Sequence, residues 1–414
     1  MLKRKNIKLG LELIFILALI FGGVKVLDKK INLPVYDSDE VSWIFTAYYF
    51  NLYFLRLELF HPDWNDYEAF DQPPLGKYII GAALHLKGYT IDSLEPKMFL
   101  NSIPLTKLQK GLDLVIPKVP NPRVVIPLLR SVIFIFALSS LLLIYISLRI
   151  SYGFLPALIS TGLIVSNPIF GMVSTRILGD PILLLFFALF ILFCTLYLKS
   201  KNTIYIILAF IVSSLAFSTK LNGILLVPML IVLFLVKNKF SLSRPNVKVL
   251  ITGLTFFLLV TVILNPVYLN SGIRAIARMA DARFSAFQNY QETFKHAALS
   301  SVSERFVAAA QIIFFQNSLF YKFVRIPLEL IIFVLGIYNI FRKRDLFLML
   351  IFLFLVIIPV SILPFRLSRY CYWIFPFTHI MAGQSLNFFR DLFTRARWLR
   401  VRPCGDDISN NAQA

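Results

Sequence analysis

Charge is what this sequence has least of. Asp, Glu, Lys and Arg make up 15% of its 414 residues, against roughly a quarter in a soluble domain. Hydrophobic residues reach 58% and mean hydropathy is +0.74. That balance excludes a soluble two-domain enzyme and excludes a disordered chain. Cysteine is scarce as well: Cys194, Cys371 and Cys404 are scattered, two of them in or beside apolar runs, which leaves no disulfide framework and no zinc spacing. The histidines, His61, His85, His296 and His379, lack the spacing of metal ligands. Also missing is a small-residue cleavage site after the N-terminal apolar run. Lys3-Arg4-Lys5 leads into that run as far as Val24, and Lys25 and Asp28-Lys29-Lys30 follow it, the pattern of a retained signal anchor.

What the sequence has in abundance is apolar runs of about 18 residues, the length of a bilayer-spanning helix. They fall near 9–26, 131–148, 153–172, 181–198, 203–219, 221–236, 249–266, 326–341, 346–363 and 371–389. The expected fold is therefore an all-α polytopic membrane protein of about ten transmembrane helices. The apolar piece Tyr78–Leu86 is too short to cross a ~30 Å hydrocarbon core. If it stays on one side as a re-entrant or surface helix, the basic clusters at Lys3/Arg4/Lys5/Lys8, Arg149, Lys199/Lys201, Lys237/Lys239/Arg244/Lys248, Arg342/Lys343/Arg344 and the Arg390–Arg402 tail all face the cytoplasm, as the positive-inside rule asks. If it crosses, most of them face outward. The same clustering argues that the net charge of +20 serves membrane topology, and not nucleic acid.

This topology makes residues 1–390 one integral-membrane domain, followed by a basic cytoplasmic tail, 391–414. Two large segments lie outside, 27–130 and 267–325. The first carries Trp43, Tyr48, Tyr49, Tyr53, Trp64 and Tyr67, aromatics suited to interfacial helices. The second has helical spacing, with Arg274, Arg278, Arg283, Lys295 and Arg305 along it. No internal repeat is visible.

The spans are nearly free of ionisable groups at mid-depth, His379 excepted. The remaining charges collect at outer helix ends: Asp37, Asp39 and Glu40 after the first span, Arg130 entering the second, Arg176 and Asp180 between the third and fourth, Lys220 between the fifth and sixth, Arg366 and Arg369 between the ninth and tenth. A ring of carboxylates and cations at one face suits an anionic, lipid-anchored substrate. A lipid or polysaccharide transporter would instead show repeat symmetry, broken helices and charge at mid-membrane.

At these residues the sequence resembles the protein O-mannosyltransferase family of C-type, polyprenyl-phosphate-sugar-dependent membrane glycosyltransferases. Asp37-Ser38-Asp39-Glu40, then Phe70-Asp71-Gln72-Pro73-Pro74-Leu75-Gly76-Lys77, resembles the family's first outer loop. Ser174-Thr175-Arg176-Ile177-Leu178-Gly179-Asp180-Pro181 is similar to its second acidic motif. Ser218-Thr219-Lys220-Leu221-Asn222-Gly223 and Arg369-Tyr370, with Pro376 beyond, resemble later landmarks. Gln72 departs from the pattern, since relatives commonly carry His or Lys before the proline pair. Residues 267–325 are too short for the large lumenal domain of the eukaryotic enzymes, and with no C-terminal soluble domain this implies a prokaryotic member.

The resemblance implies transfer of a mannose-like monosaccharide from a polyprenyl-phosphate donor to a hydroxyl of a protein, lipid or glycan acceptor, at the outer face of the cell membrane. Phosphate is a good leaving group that cations can stabilise without a general acid. One carboxylate as base then suffices for direct, inverting displacement. On this reading Asp39 is the base, with Glu40 and Asp180 beside it, and Arg130, Arg176, Lys220 and Arg369 meet the donor phosphate. Asp39 and Asp180 could share a divalent ion; no other cofactor is implied. Each residue also has a plainer role open to it. Asp37 and Glu40 suit a capping box, Asp180-Pro181 suits a helix start, and Arg176, Lys220, Arg369 and Lys77 suit interface anchors.

Overall fold

The computed structural model of the chain describes residues 2–35, 38–92, 108–241, 243–272, 274–293, 295 and 298–400. Asp37 and its expected capping role, His296, Cys404 and the end of the basic tail lie outside the described residues. Among the described residues no strand occurs, and one isolated bridge pairs Ala298 with Phe365.

The helix Asp180–Ser200 is the hub of the bundle. It starts where Pro181 occupies the first turn, a position that asks for no N–H donor, and it packs against Pro122–Tyr152 and Ile204–Thr219. Ile204–Thr219 packs in turn on Arg244–Leu264. Three described helices are long and apolar enough to cross a membrane: Pro122–Tyr152, Asp180–Ser200 and Arg244–Leu264. Burial grades outward across them, from 67% of the apolar stretch of Asp180–Ser200 to 17% for Arg244–Leu264. The outermost helix turns Ile251, Leu258, Leu259 and Ile263 away from the protein. Such a surface is a liability in water but is ordinary against lipid tails. Short polar bridges tie this layer together: Ser214 meets Thr261 at 2.7 Å, and Asn265 Nδ2 donates to Ser218 Oγ at 2.9 Å. Side-chain bonds of this kind between membrane helices contribute about 0.6 kcal/mol each.

Helices occupy every expected span, though several are interrupted. The run 153–172 divides into Phe154–Ser166 and Pro168–Val173, where Asn167 accepts from the Ile169 N–H as a cap. The run 346–363 passes through a π-helical turn, Leu353–Ile357, just before Pro359. Proline lacks the N–H that would continue the α ladder there. The helix Leu75–His85 has 11 residues and is about 16 Å long, too short to cross. It packs against Tyr48–Phe50 and Pro122–Tyr152, in keeping with a non-crossing outer helix.

The outer segments depart from expectation in how they use their aromatics. Tyr49 and Trp64 are fully buried, with ring centroids 5.0 Å apart, and Tyr53 lies 4.9 Å from Tyr78. Trp64 Nε1 donates to the Glu58 carbonyl at 2.8 Å, and the Tyr48 hydroxyl donates to Asp63 at 2.6 Å. These rings pack into a shared core: the Tyr48 and Trp64 tips find partners inside the segment, while the Tyr53 and Tyr78 hydroxyls donate to the Ile263 and Leu264 carbonyls at the end of Arg244–Leu264. Lys77 is also drawn inward. Its ammonium donates to the carbonyls of Glu68 and, at 2.6 Å, Gln72, and lies 5.1 Å from the Tyr49 ring centre. The anchor to headgroups expected of it is thus replaced by a buried staple. The segment after Arg244–Leu264 docks on the one after the first helix: Asn270 Nδ2 donates to the Leu59 carbonyl at 2.7 Å and Arg278 to Asn65 at 2.9 Å.

Candidate active site

Asp39 and Glu40 both lie in the first turn of the helix Ser38–Phe45, where negative charge complements the helix dipole. Consecutive helical positions point about 100° apart, and the two acids have opposite fates. Glu40 turns inward. Arg130 grips it with two bonds, Nε to Oε1 at 3.0 Å and Nη2 to Oε2 at 2.9 Å, and the Ile177 N–H donates to Oε1 at 3.1 Å. The remaining Arg130 donors reach the carbonyls of Lys30, Ile31, Leu33 and Pro34, the closest at 2.6 Å. Both side chains are sealed, 3% and 2% exposed. Arg130, expected to meet phosphate, is instead turned to Glu40 and to backbone carbonyls: together the two clasp the end of the first helix, the Asp39 helix and the turn before Asp180.

Asp39 turns the other way, toward Arg369, and pairs with it through Oδ2. These side chains remain 35% and 32% exposed. The Arg369 guanidinium also lies over the Tyr370 ring, 5.2 Å from its centre. Asp180, at the head of the hub helix, pairs with Lys220 at 2.7 Å. Lys220 sits where Ile204–Thr219 ends and the chain turns extended, so its ammonium folds back toward the same bundle end.

The two pairs belong to one site. Trp43, one turn along from Asp39, packs against Gly179 beside Asp180 and against Gly76 of the Pro-Pro-Leu-Gly motif. A Cβ on either glycine would come within 2.7 or 2.8 Å of the indole, so a side chain at either position would push the Asp39 helix away. Tyr372, three residues past Arg369, is fully buried, lies within electrostatic reach of Asp180, and has a hydroxyl with no hydrogen-bond partner. Sequence reasoning missed Tyr372, because it reads as one more aromatic at the start of an apolar run. Arg176 is half-buried in the turn between Val173 and Asp180. Burial, and then the nearby Arg176 charge, pushes the Lys30 ammonium below its ordinary range. Lys30 itself donates to the Gly171 carbonyl at 2.9 Å.

Among the described residues no group of three or more His, Cys, Asp or Glu side chains gathers. Asp39 and Asp180 each face a cation already, so as placed they do not form a donor set for a shared divalent ion. What the arrangement offers is two carboxylates and two half-exposed cations at one end of an apolar bundle.

This is an all-helical, polytopic membrane fold with a charged centre at one end, and the comparisons agree with it. Residues 127–264 match the family described as dolichyl-phosphate-mannose-protein mannosyltransferase, which bears out the resemblance carried by the motifs. ArnT from Cupriavidus metallidurans, bound to undecaprenyl phosphate, has the same fold at a TM-score of 0.55, with 13% identity over 94% of this chain and 64% of that one. AglB, the archaeal oligosaccharyltransferase from Archaeoglobus fulgidus, solved with an inhibitory peptide and a dolichol-phosphate, is similar at a TM-score of 0.50, with 12% identity over 95% of this chain and 52% of that one. The chain thus spans less than two thirds of ArnT and about half of AglB. No curated protein sequence matches it.

Proposed function

We propose that the chain is an inverting glycosyltransferase that moves a mannose-like monosaccharide from a polyprenyl-phosphate carrier to an acceptor hydroxyl, with Asp39 as the base. The observation that carries this reading is the pairing of Asp39 with Arg369 and of Asp180 with Lys220 at one end of an otherwise apolar bundle. Support for the donor class comes from ArnT and AglB, whose structures hold undecaprenyl phosphate and dolichol-phosphate.

The chemistry follows from an exchange of partners. A lipid phosphate arriving at this end brings negative charge that Arg369 and Lys220 can take up as charge-assisted hydrogen bonds, with Arg176 adding positive field. The guanidinium is then shared with phosphate, and the Asp39 carboxylate accepts a proton. The acceptor oxygen attacks the anomeric carbon while the carbon–phosphate oxygen bond breaks. The hydroxyl proton passes to Asp39, and the developing phosphate charge stays on the cations, where fixed positive groups in a partly desolvated site act most strongly. The loop-charge pattern supports an extracytoplasmic position for this end of the bundle.

The test is to incubate the purified full chain with radiolabelled polyprenyl-phosphate sugars and membrane extract and to identify the labelled product. Transfer of label to a protein, lipid or glycan supports the proposal and names the acceptor. No transfer from any polyprenyl-phosphate sugar, by protein that still elutes as a folded species, overturns it.

A further inference from the structure

The opposite end of the bundle holds a second polar site. Ser151 and Tyr152 close the helix Pro122–Tyr152, roughly 30 Å along it from Arg130. Beside them a half-open cavity of about 180 Å³ is lined by Asn339, Lys343, Asp345, Gln384, Asn387 and Arg390 among others. Three buried carboxamides form its floor. Asn339 Nδ2 donates to the Gln384 carbonyl at 3.1 Å, and Asn387 Nδ2 donates to Gln384 Oε1 at 2.8 Å. That leaves Gln384 Nε2 as a donor and Asn339 Oδ1 as an acceptor with no partner, on side chains that are each 2% exposed. Buried polar atoms seldom stay unpaired without a ligand or water to meet them.

The mouth carries two cations held around one carboxylate. Lys343 pairs with Asp391 at 2.8 Å and Arg390 shares the same carboxylate at 3.7 Å, while Arg342 is close enough to help hold that carboxyl below its usual range, chiefly through the Lys343 hydrogen bond. Asp345, also in the lining, caps the next helix by accepting from the Leu348 N–H at 3.1 Å and accepts from the Tyr152 hydroxyl as well. The site therefore offers cations outside, an amide donor inside, and one orphan acceptor at its floor, at the level where helices end.

We propose that this cavity binds the phosphodiester headgroup of a membrane glycerophospholipid. The phosphate oxygens accept from Lys343, Arg390 and the Gln384 amide, and the alcohol or amine of the headgroup donates to Asn339 Oδ1. The acyl chains remain in the bilayer outside the helix ends. This site is separate from the proposed transfer chemistry and stands or falls without it.

Native mass spectrometry of the full chain in detergent tests it, with phosphatidylglycerol, phosphatidylethanolamine, diacylglycerol and inorganic phosphate as probes. The expected result is retention of the phospholipids and not of diacylglycerol, with the bound fraction about tenfold lower in Arg390→Ala and Asn387→Leu, the loss expected for a charged or buried hydrogen bond. Arg390 is exposed, so its variant keeps the test valid if Asn387→Leu fails to fold. Equal retention of diacylglycerol, no change in Arg390→Ala, or occupancy by inorganic phosphate with phospholipid ignored would each overturn the headgroup site.

Discussion

Asp39 and Glu40 are neighbours in one helical turn, yet the two sides of that turn do different work. On the Glu40 side an ion pair is sealed by protein, bonded twice to Arg130 and once to the Ile177 N–H. On the Asp39 side the pair with Arg369 is about one-third exposed, as Asp180–Lys220 is in part. A sealed pair cannot exchange partners, because removing one member strands a buried charge. A half-exposed pair can trade one anion for another at little cost. On the proposed function the chemistry falls to the partly exposed pairs, and the sealed pair holds the Asp39 helix against Arg130 and the Ile177 turn.

The largest expected effect is at Asp39. Asp39→Asn keeps the size of the side chain but removes the proton acceptor, and transfer should fall by about 10²–10⁴-fold in a radiolabel assay. Next is the clasp. Arg130→Leu strands the Glu40 carboxylate and should destabilise the fold by about 3–5 kcal/mol, read as a lower unfolding temperature in detergent and a lower yield. Adding Glu40→Leu to that variant should recover much of the loss, since an apolar pair replaces an ionic one. A sealed pair whose removal leaves stability unchanged would erase the distinction between the two sides.

Smaller effects follow for the cations. Lys220→Ala should lower transfer by roughly one to two orders of magnitude, the worth of a charge-assisted hydrogen bond of about 1.5–3 kcal/mol, with the unfolding temperature unchanged. The smallest effect lies in the outer loop, where burial and then the Asp63 and Glu68 charges raise the Asp66 carboxyl above its ordinary range. A raised carboxyl means that the fold prefers the protonated form, so stability rises as pH falls through the folded value and is lost above it. Asp66→Asn should therefore slightly raise the unfolding temperature at pH 7, with the gain shrinking toward acid pH.

Much of this frame can be read without coordinates, for physical reasons. Apolar run length finds the helices, since a bilayer sets it, and the shortness of the run at Tyr78–Leu86 matches the 11-residue helix Leu75–His85. Asp39, Asp180, Lys220 and Arg369 stand out because charge is so rare here that its position carries information. Arg130 misleads for the same reason: it stands among the charges at a helix end, and nothing local shows that Glu40, distant in sequence, turns inward to meet it. Tyr372 and Trp43 are hidden in the opposite way, as aromatics in a chain with 41 phenylalanines. Gly76 and Gly179 acquire their meaning only when the Trp43 ring lies against both.

The central claim is that Asp39 moves a proton while its former partner Arg369 holds phosphate. The most direct test measures donor Kd and single-turnover transfer rate on Asp39→Asn and Arg369→Ala side by side. Opposite splits are expected: Asp39→Asn binds the polyprenyl-phosphate sugar as well as the wild type or better but scarcely transfers it, whereas Arg369→Ala binds it more weakly by roughly ten- to a hundredfold. Transfer at the wild-type rate by Asp39→Asn, or unchanged donor binding by Arg369→Ala, would contradict it.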